Sequence, residues 1–345
     1  MEQDQIERVR EELAEVPGGA LRQICQSQDG AAETVDLPGR FAPGEKGREV
    51  CWDLYPGIAL CFLDYLADHT GCRHQRTDGV LEIDYCRRGR AGWRMRDGSA
   101  IYLGAGDLCL HTRELCAGSV MTLPNGYYSG LTVRLDLAEL AEHPPELLAE
   151  AGVSGEVLRR RFCPDGGFTS FPGNGQTEAI FSGFYAPLPS AIRPYWKLKA
   201  LELLLYLQGL ERPPRRETSP CQAEQIETVR AVHDLLTGDL ARRVTIEELS
   251  RRFLMNPSTL KSVFKEVYGD SIAAHIREHR MERAALLLRE TEDTVAQVAR
   301  AVGYESQSRF SSEFRRAYQL LPREYRRLHR EDRPGEGERR PAPDR

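Results

Sequence analysis

The chain has 345 residues, of which 41% are hydrophobic and 29% charged, with a formal net charge of −5. That length allows two domains, and the apolar share excludes a disordered or fibrous chain. No apolar run reaches the roughly 18–20 residues of a membrane helix, and a mildly acidic total excludes a protein held to nucleic acid by bulk charge alone.

The opening stretch, MEQDQIERVREEL, lacks the apolar core of an export signal, so a cytoplasmic protein with no membrane partner is expected. It predicts an amphipathic helix over 1–16 that Pro17-Gly18-Gly19 terminates. Residues 31–50 are rich in Gly, Pro and charge and predict loops. Residues 1–49 are therefore read as an N-terminal helix and loops.

From Val50 the period changes to that of strands. Ile58 to Leu66 is an apolar run broken by Asp64, and Val80 to Cys86 alternates. Ala91, Trp93 and Met95 share one face, with Arg94 and Arg96 on the other. Asp97-Gly98 predicts a hairpin turn. Ile101 with Leu103, Leu108 to His111 and Leu131 to Leu135 extend the set, and Gly104-Ala105-Gly106-Asp107 marks another turn. Short strands separated by glycine turns predict an antiparallel barrel or sandwich. Trp52, Tyr55, Trp93 and Tyr102 are the candidates to line an effector pocket in it. Packing of these aromatics in the core or rim is the competing reading.

Cysteines stand at positions 25, 51, 61, 72, 86, 109, 116, 163 and 221. No pair has CxxC or zinc-finger spacing, so buried free thiols are expected rather than a redox or metal framework.

Helical periods follow the strands. Tyr195 to Leu210 carries a wide apolar stripe through Leu198, Leu201, Leu204, Leu205 and Leu207. That stripe suits either packing over the strands or a dimer seam. Residues 50–210 form one predicted domain. Residues 211–223 form a Pro-rich linker, and 331–345 a disordered tail.

Between them, 224–330 holds 19 basic and 16 acidic residues, against 24 and 31 in 1–223. The basic share thus collects in the C-terminal third. Glu224 to Leu236 predicts a helix stopped by Gly238. Thr245 and Glu248 form a capping box before Ile246, Leu249 and Phe253. Asn256 is a cap, Pro257 takes the first helical position, and Leu260, Val263, Phe264 and Val267 turn inward. Ser271 to Leu288 is a long helix. Thr294 and Gln297 then form a second capping box, followed by Val295, Val298, Ala299 and Val302. Gly303 ends that helix where positive φ is cheap only for glycine. A last helix from Ser306 turns Phe310 and Phe314 inward. Phe264 corresponds to Phe314, Lys265 to Arg315 and Tyr268 to Tyr318. Two helix-turn-helix units on one connecting helix are far more specific than either alone.

RMERAALLL (280–288), VAQVARAVGY (295–304) and RFSSEF (309–314), continuing into Tyr318, Pro322 and Tyr325, resemble the DNA-binding domain of AraC/XylS-type transcription regulators. Gln319 stands where that family most often has Gly. EIDYCRRGRAGW (82–93) and LGAGDLCLH (103–111) more loosely resemble its cupin-like sensor domain. The implied fold class is α+β. It pairs an N-terminal cupin-like antiparallel β-barrel with flanking helices and an all-α domain of two helix-turn-helix units joined by a long helix.

The resemblance implies a sequence-specific regulator, more often an activator, that answers to a small-molecule effector. It would sit on two adjacent major-groove segments of double-stranded promoter DNA. RNA polymerase and a second copy, through 195–210, are the implied protein partners. On the exposed helix faces, Ser258, Lys261, Ser262, Gln307, Ser308, Ser311 and Ser312 are candidate base readers. Lys265, Arg309, Arg315 and Arg316 are candidate phosphate contacts. The histidine and glutamate set of metal-binding cupins is incomplete around His74, Glu82 and His111, so no metal, no cofactor and no catalytic residue are expected. The competing functions are a cupin oxygenase or alkyl-transfer repair enzyme with a DNA-targeting domain, and an effector-independent architectural DNA binder.

Overall fold

In a computed structural model of the chain, residues 2–27, 31–71, 79–94, 100–116, 118–186, 192–212 and 223–331 are described. Met95, Arg96, the Asp97-Gly98 turn, His74, Cys72, Cys221, most of the predicted linker and nearly all of the predicted tail lie outside them. The chain divides into two compact units, one mainly from Glu2–Gln225 and one mainly from Ile226 onward.

The first helix, α1 (Glu2–Glu12), is shorter than its amphipathic pattern suggests. Val9, with Leu13 and Val16 just beyond the helix, still buries against Tyr127. Eleven strands follow among the described residues: β1 (Leu21–Gln26), β2 (Ala32–Leu37), β3 (Lys46–Tyr55), β4 (Ile58–Leu66), β5 (His69–Gly71), β6 (Val80–Arg94), β7 (Ala100–Gly104), β8 (Leu108–Thr112), β9 (Val120–Thr122), β10 (Tyr127–Asp136) and β11 (Phe168–Phe171).

The main sheet runs β11-β8-β6-β10-β4-β3-β1-β2, with β7 on β6 and with β5 and β9 continuing from β6. The predicted antiparallel barrel is therefore corrected twice. The sheet is open, ending at β11 and β2, and β1 pairs β3 in parallel. Alternation reports which face a residue takes, not which strand it pairs, so closure and direction were not encoded in the pattern. The predicted loop over 31–50 is corrected too, because β2 and the start of β3 fall within it. Edge strand β2 is held by polar chemistry: the Arg22 guanidinium donates to both Asp36 carboxylate oxygens, at 2.7 and 2.9 Å. Its only aliphatic pair on one face is Val35, which is exposed, and Leu37, which packs at the edge of the core, so the apolar pattern is weak.

Gly89 stands two residues past the point where the long β6 breaks register with β10, the extra residue being Arg87 between Cys86 and Arg88. Its φ is +76°, and a Cβ there would stand 2.4 Å from the Tyr127 carbonyl oxygen. This bulge carries β6 from the main sheet to its pairing with β7.

Both faces of the sheet are covered. Helices α2 (Arg113–Cys116), α3 (Leu137–Glu142), α4 (Glu146–Glu150), α5 (Gly155–Phe162), α6 (Gly175–Phe184) and α7 (Ile192–Gly209) complete the unit. Leu81, Ile83 and Tyr85 share one core with Phe162, Phe181, Leu201, Leu204 and Leu207. The stripe of α7 is thus spent on the sheet, leaving Leu198 exposed at 64%. The opposite face buries Leu63, Cys86, Trp93, Cys109 and Tyr128.

Cys51 and Cys61 are register partners on β3 and β4 and are joined by a disulfide. This departs from the expectation of free thiols throughout, because cross-strand register is invisible to a spacing rule. Cys25, Cys86, Cys109, Cys116 and Cys163 take no part in a disulfide. Burial pushes the thiols of Cys86, Cys109 and Cys163 up, which holds them in the inert protonated form.

The C-terminal unit contains α8 (Ala223–Gly238), α9 (Ile246–Arg252), α10 (Pro257–Tyr268), α11 (Ile272–Glu290), α12 (Val295–Ala301), α13 (Gln307–Tyr318) and α14 (Pro322–Glu331). No helix among the described residues is long and apolar enough to cross a membrane.

Candidate nucleic-acid interface

Two short helix pairs, α9 with α10 and α12 with α13, are built by the same local devices. Thr245 and Glu248 cap α9 reciprocally, and Thr294 and Gln297 cap α12 in the same way. Each box satisfies backbone N–H groups that a helix start leaves without partners. The second helix of each pair starts on another cap. The Asn256 Oδ1 accepts from the Ser258 N–H at 2.9 Å, and the Ser306 hydroxyl accepts from the Arg309 N–H at 3.4 Å.

Each of these second helices buries one face and exposes the other. Leu260, Val263 and Phe264 are buried on α10, and Phe310 and Phe314 on α13. Phe314 meets Phe310, Tyr318 and Tyr325 with ring centroids 5.7, 4.6 and 5.3 Å away. Tyr325 comes from α14, which thus closes the second unit. On the outer faces Ser258, Lys261, Ser262 and Lys265 are exposed, as are Gln307, Ser308, Arg309, Ser312, Arg315 and Arg316; Ser311 is half-buried. The candidate base-reading and phosphate-binding side chains therefore collect on two helix faces.

Two of the serines are already engaged. The Ser258 hydroxyl donates to Asn256 Oδ1 at 2.7 Å. That of Ser312 donates to the Ser308 carbonyl at 3.1 Å. Their donors are committed, which leaves Lys261 and Gln307 as the longer, freer polar groups.

The 19-residue α11 joins the two pairs, with a length of roughly 28 Å. Ile272, His275, Ile276, Met281, Ala284, Ala285 and Leu288 are its buried residues. Two arginines that the sequence reading did not single out make long-range ties to or from this helix. Arg280 donates to the carbonyls of Leu240 at 2.9 Å and Arg242 at 3.1 Å. Arg326 donates to the carbonyl of Leu288 at 3.2 Å. Spacing offers no signal for an arginine whose partners are backbone atoms far away in sequence.

Gln319 ends α13 with φ 58°, in the left-handed region. A side chain costs about 1 kcal/mol there relative to glycine. Gln319→Gly is therefore expected to stabilise the unit by up to about 1 kcal/mol, read as a higher urea midpoint at unchanged slope.

In the N-terminal unit the four pocket candidates are not brought together. Trp52 and Tyr55 pack on the α7 side, where Trp52 meets Trp196 edge-on at 5.1 Å. Trp93 and Tyr102 lie on the other part of the sheet, Tyr102 opposite Gly92 and Trp93 opposite Ile101 in the β6–β7 ladder. Of the four, only Trp93 lines a recess, together with Ile101, Cys109, His111, Leu115 and Cys116. Its free space of about 10 Å³ is room for about one water molecule, far below the roughly 300 Å³ of an ordinary small-molecule pocket.

Beside the recess lies a buried charged network. Asp84 Oδ2 is 2.6 Å from His111 Nε2, and Asp84 Oδ1 accepts the Thr132 hydroxyl at 2.6 Å. Glu82 is 3.3 Å from Arg134 and 3.6 Å from Arg113. Alternation placed Glu82 and Asp84 on one face but gave no sign that this face would be buried.

A helix-turn-helix domain family model matches residues 249–328. The regulatory protein PchR of Pseudomonas aeruginosa is 36% identical over 101 residues, which is 28% of this chain and 33% of that protein. The HTH-type transcriptional activator RhaR of Mannheimia succiniciproducens is 29% identical over 101 residues, 29% of this chain and 37% of that one. The chain thus spans little more than a third of the length of these relatives. Among solved structures, the C-terminal domain of AraT, a response regulator from Geobacillus stearothermophilus, is 27% identical. It covers 32% of this chain and 93% of that domain, with a TM-score of 0.31.

Proposed function

We propose that the protein is a sequence-specific transcription regulator of the AraC/XylS type, supported by the helix-turn-helix domain match over residues 249–328 and by the similarity to transcription regulators. On this reading α10 and α13 enter successive major-groove segments of promoter DNA. The observation that carries it is the matched pair of exposed polar faces, each backed by a buried aromatic core, on the single helix α11. Lys261 reaches guanine O6 and N7, and Gln307 pairs with adenine N6 and N7. The serines add weak or shape-dependent preference. Lys265, Arg309, Arg315 and Arg316 hold phosphates and fix register.

A small effector held by the N-terminal unit, and contact with RNA polymerase, complete the reading. The recess beside Trp93 and His111 is the place where such an effector would begin to bind, by moving side chains aside. A second copy docking on 195–210 would use what α7 leaves uncovered, Leu198 foremost.

Selection of bound fragments from a random DNA pool, with and without cell extract, tests the whole. Enrichment of two short motifs about one helical turn apart is expected; a pool that stays random overturns it. Within an enriched site, Lys261→Ala is expected to lower specific affinity by roughly 1–3 kcal/mol and relax preference at one base pair. Lys265→Ala should weaken binding to all sequences and reduce the salt slope by about one. Equal behaviour of the two in a salt titration removes the division of labour.

A further inference from the structure

His233 on α8 and His275 and His279 on α11 offer one ring nitrogen each, all within 4.8 Å of one another. We infer that these three histidines form a binding site for one divalent transition-metal ion of the zinc kind, which clamps α8 to the helix connecting the two DNA-facing units. The inference does not depend on what the protein regulates.

The geometry is that of a tripod. His275 and His279 stand one helical turn apart, so both rings leave the same face of α11. Their Nε2 atoms are 3.1 Å apart. Two imidazole nitrogens bound at 2.0–2.1 Å to one tetrahedral ion lie about 3.3 Å apart, so this pair needs a shift of only roughly 0.2 Å, while the His233 nitrogen, within 4.8 Å of both, closes by at most about 1.5 Å. The His233 ring faces both, with centroids 5.1 Å from His275 and 5.6 Å from His279.

The outer nitrogens are oriented as metal-binding imidazoles usually are. Asp234 is 3.2 Å from Nδ1 of His233, and Glu282 is 3.4 Å from Nδ1 of His279. A carboxylate on Nδ1 fixes the tautomer and leaves Nε2 for the ion. The His233 and His279 side chains are 19% and 33% exposed, which gives the ion a path in. Three imidazoles suit zinc, cobalt, nickel or copper, with a fourth position open to water.

The other cluster of potential ligands, Glu82, His111 and Cys116, is a weaker candidate. Its carboxylate is engaged by Arg113 and Arg134 and its imidazole by Asp84. The i, i+4 spacing of His275 and His279 stands open in the sequence, although the sequence reading did not single it out and expected no metal. The tripod's third member, distant on α8, was not legible.

The test uses the full chain without an affinity tag, freed of metal by a chelator and titrated with Co²⁺ under visible absorption, then with Zn²⁺ in competition. One Co²⁺ per chain is expected, with tetrahedral ligand-field bands, no thiolate charge-transfer band, and displacement by Zn²⁺. His233→Gln and His279→Gln should each weaken binding at least tenfold. Glu282→Gln should weaken it about tenfold, and Cys116→Ala should leave it unchanged. Absence of saturable binding, a thiolate band, or wild-type affinity in either histidine variant overturns the site. Should a variant misfold, the stoichiometry and spectrum of the wild-type chain decide the matter alone.

Discussion

Gly303→Ala is expected to destabilise the C-terminal unit by about 2–5 kcal/mol and to abolish site-specific DNA binding at 37 °C. Two costs add. Gly303 has φ +80°, a conformation that charges an L side chain about 1–2 kcal/mol. A Cβ there would also stand 2.6 Å from the Leu240 carbonyl oxygen and 2.9 Å from the Arg280 guanidinium. Forced repacking of that kind costs about 1–3 kcal/mol more. The obstacle is backbone on one side and an arginine tied to two carbonyls on the other, so neither yields cheaply. Gly238→Ala is the control, because a Cβ there meets nothing within 4 Å. Urea denaturation followed by circular dichroism, with fluorescence anisotropy on the selected site, measures both. Equal stability of the two variants would show that the turn is not constrained as described.

Asp84→Ala should cost the N-terminal unit about 3–5 kcal/mol, the usual penalty for stripping one partner from a buried ion pair. His111 is buried with Nε2 on Asp84 and Nδ1 3.2 Å from the Thr112 carbonyl. Both ring nitrogens therefore face acceptors, which the doubly protonated imidazolium satisfies best. Burial by itself holds the imidazole down. The Asp84 charge and hydrogen bond, with help from Glu82, outweigh it and lift His111 to about 9. The folded value exceeds the ordinary 6.5, so the folded state holds the proton more tightly. The pair's contribution is then complete below about pH 6.5 and is lost as pH rises through about 9, at no more than about 1.4 kcal/mol per unit. Wild-type stability should fall across that window, and Asp84→Asn should flatten the slope. A wild-type profile level from pH 6 to 9.5 sinks the charged assignment.

The C-terminal unit was legible almost residue by residue. Its caps, Gly303 and the inward positions Leu260, Phe264, Phe310 and Phe314 follow from contacts three or four residues apart, which sequence displays directly. The N-terminal unit was legible only to the level of strand faces. Leu81, Ile83 and Tyr85 alternate as read, but which strand pairs with which is set by distant partners. Hence the open sheet, the parallel β1–β3 pair and the Cys51–Cys61 bond were not foreseen. The four pocket aromatics failed to converge for the same reason. Composition suggested them, and strand position divided them.

Arrays of like units often melt one unit at a time, because each touches only its neighbour. Here Arg280, rooted in α11, grips the Leu240–Arg242 loop that precedes α9, and the turn at Gly303 closes on the same Leu240 oxygen. Opening either copy strips contacts from the other. The two should therefore behave as one cooperative block, whose slowest amides in α9 and α12 exchange with solvent deuterium through a common event.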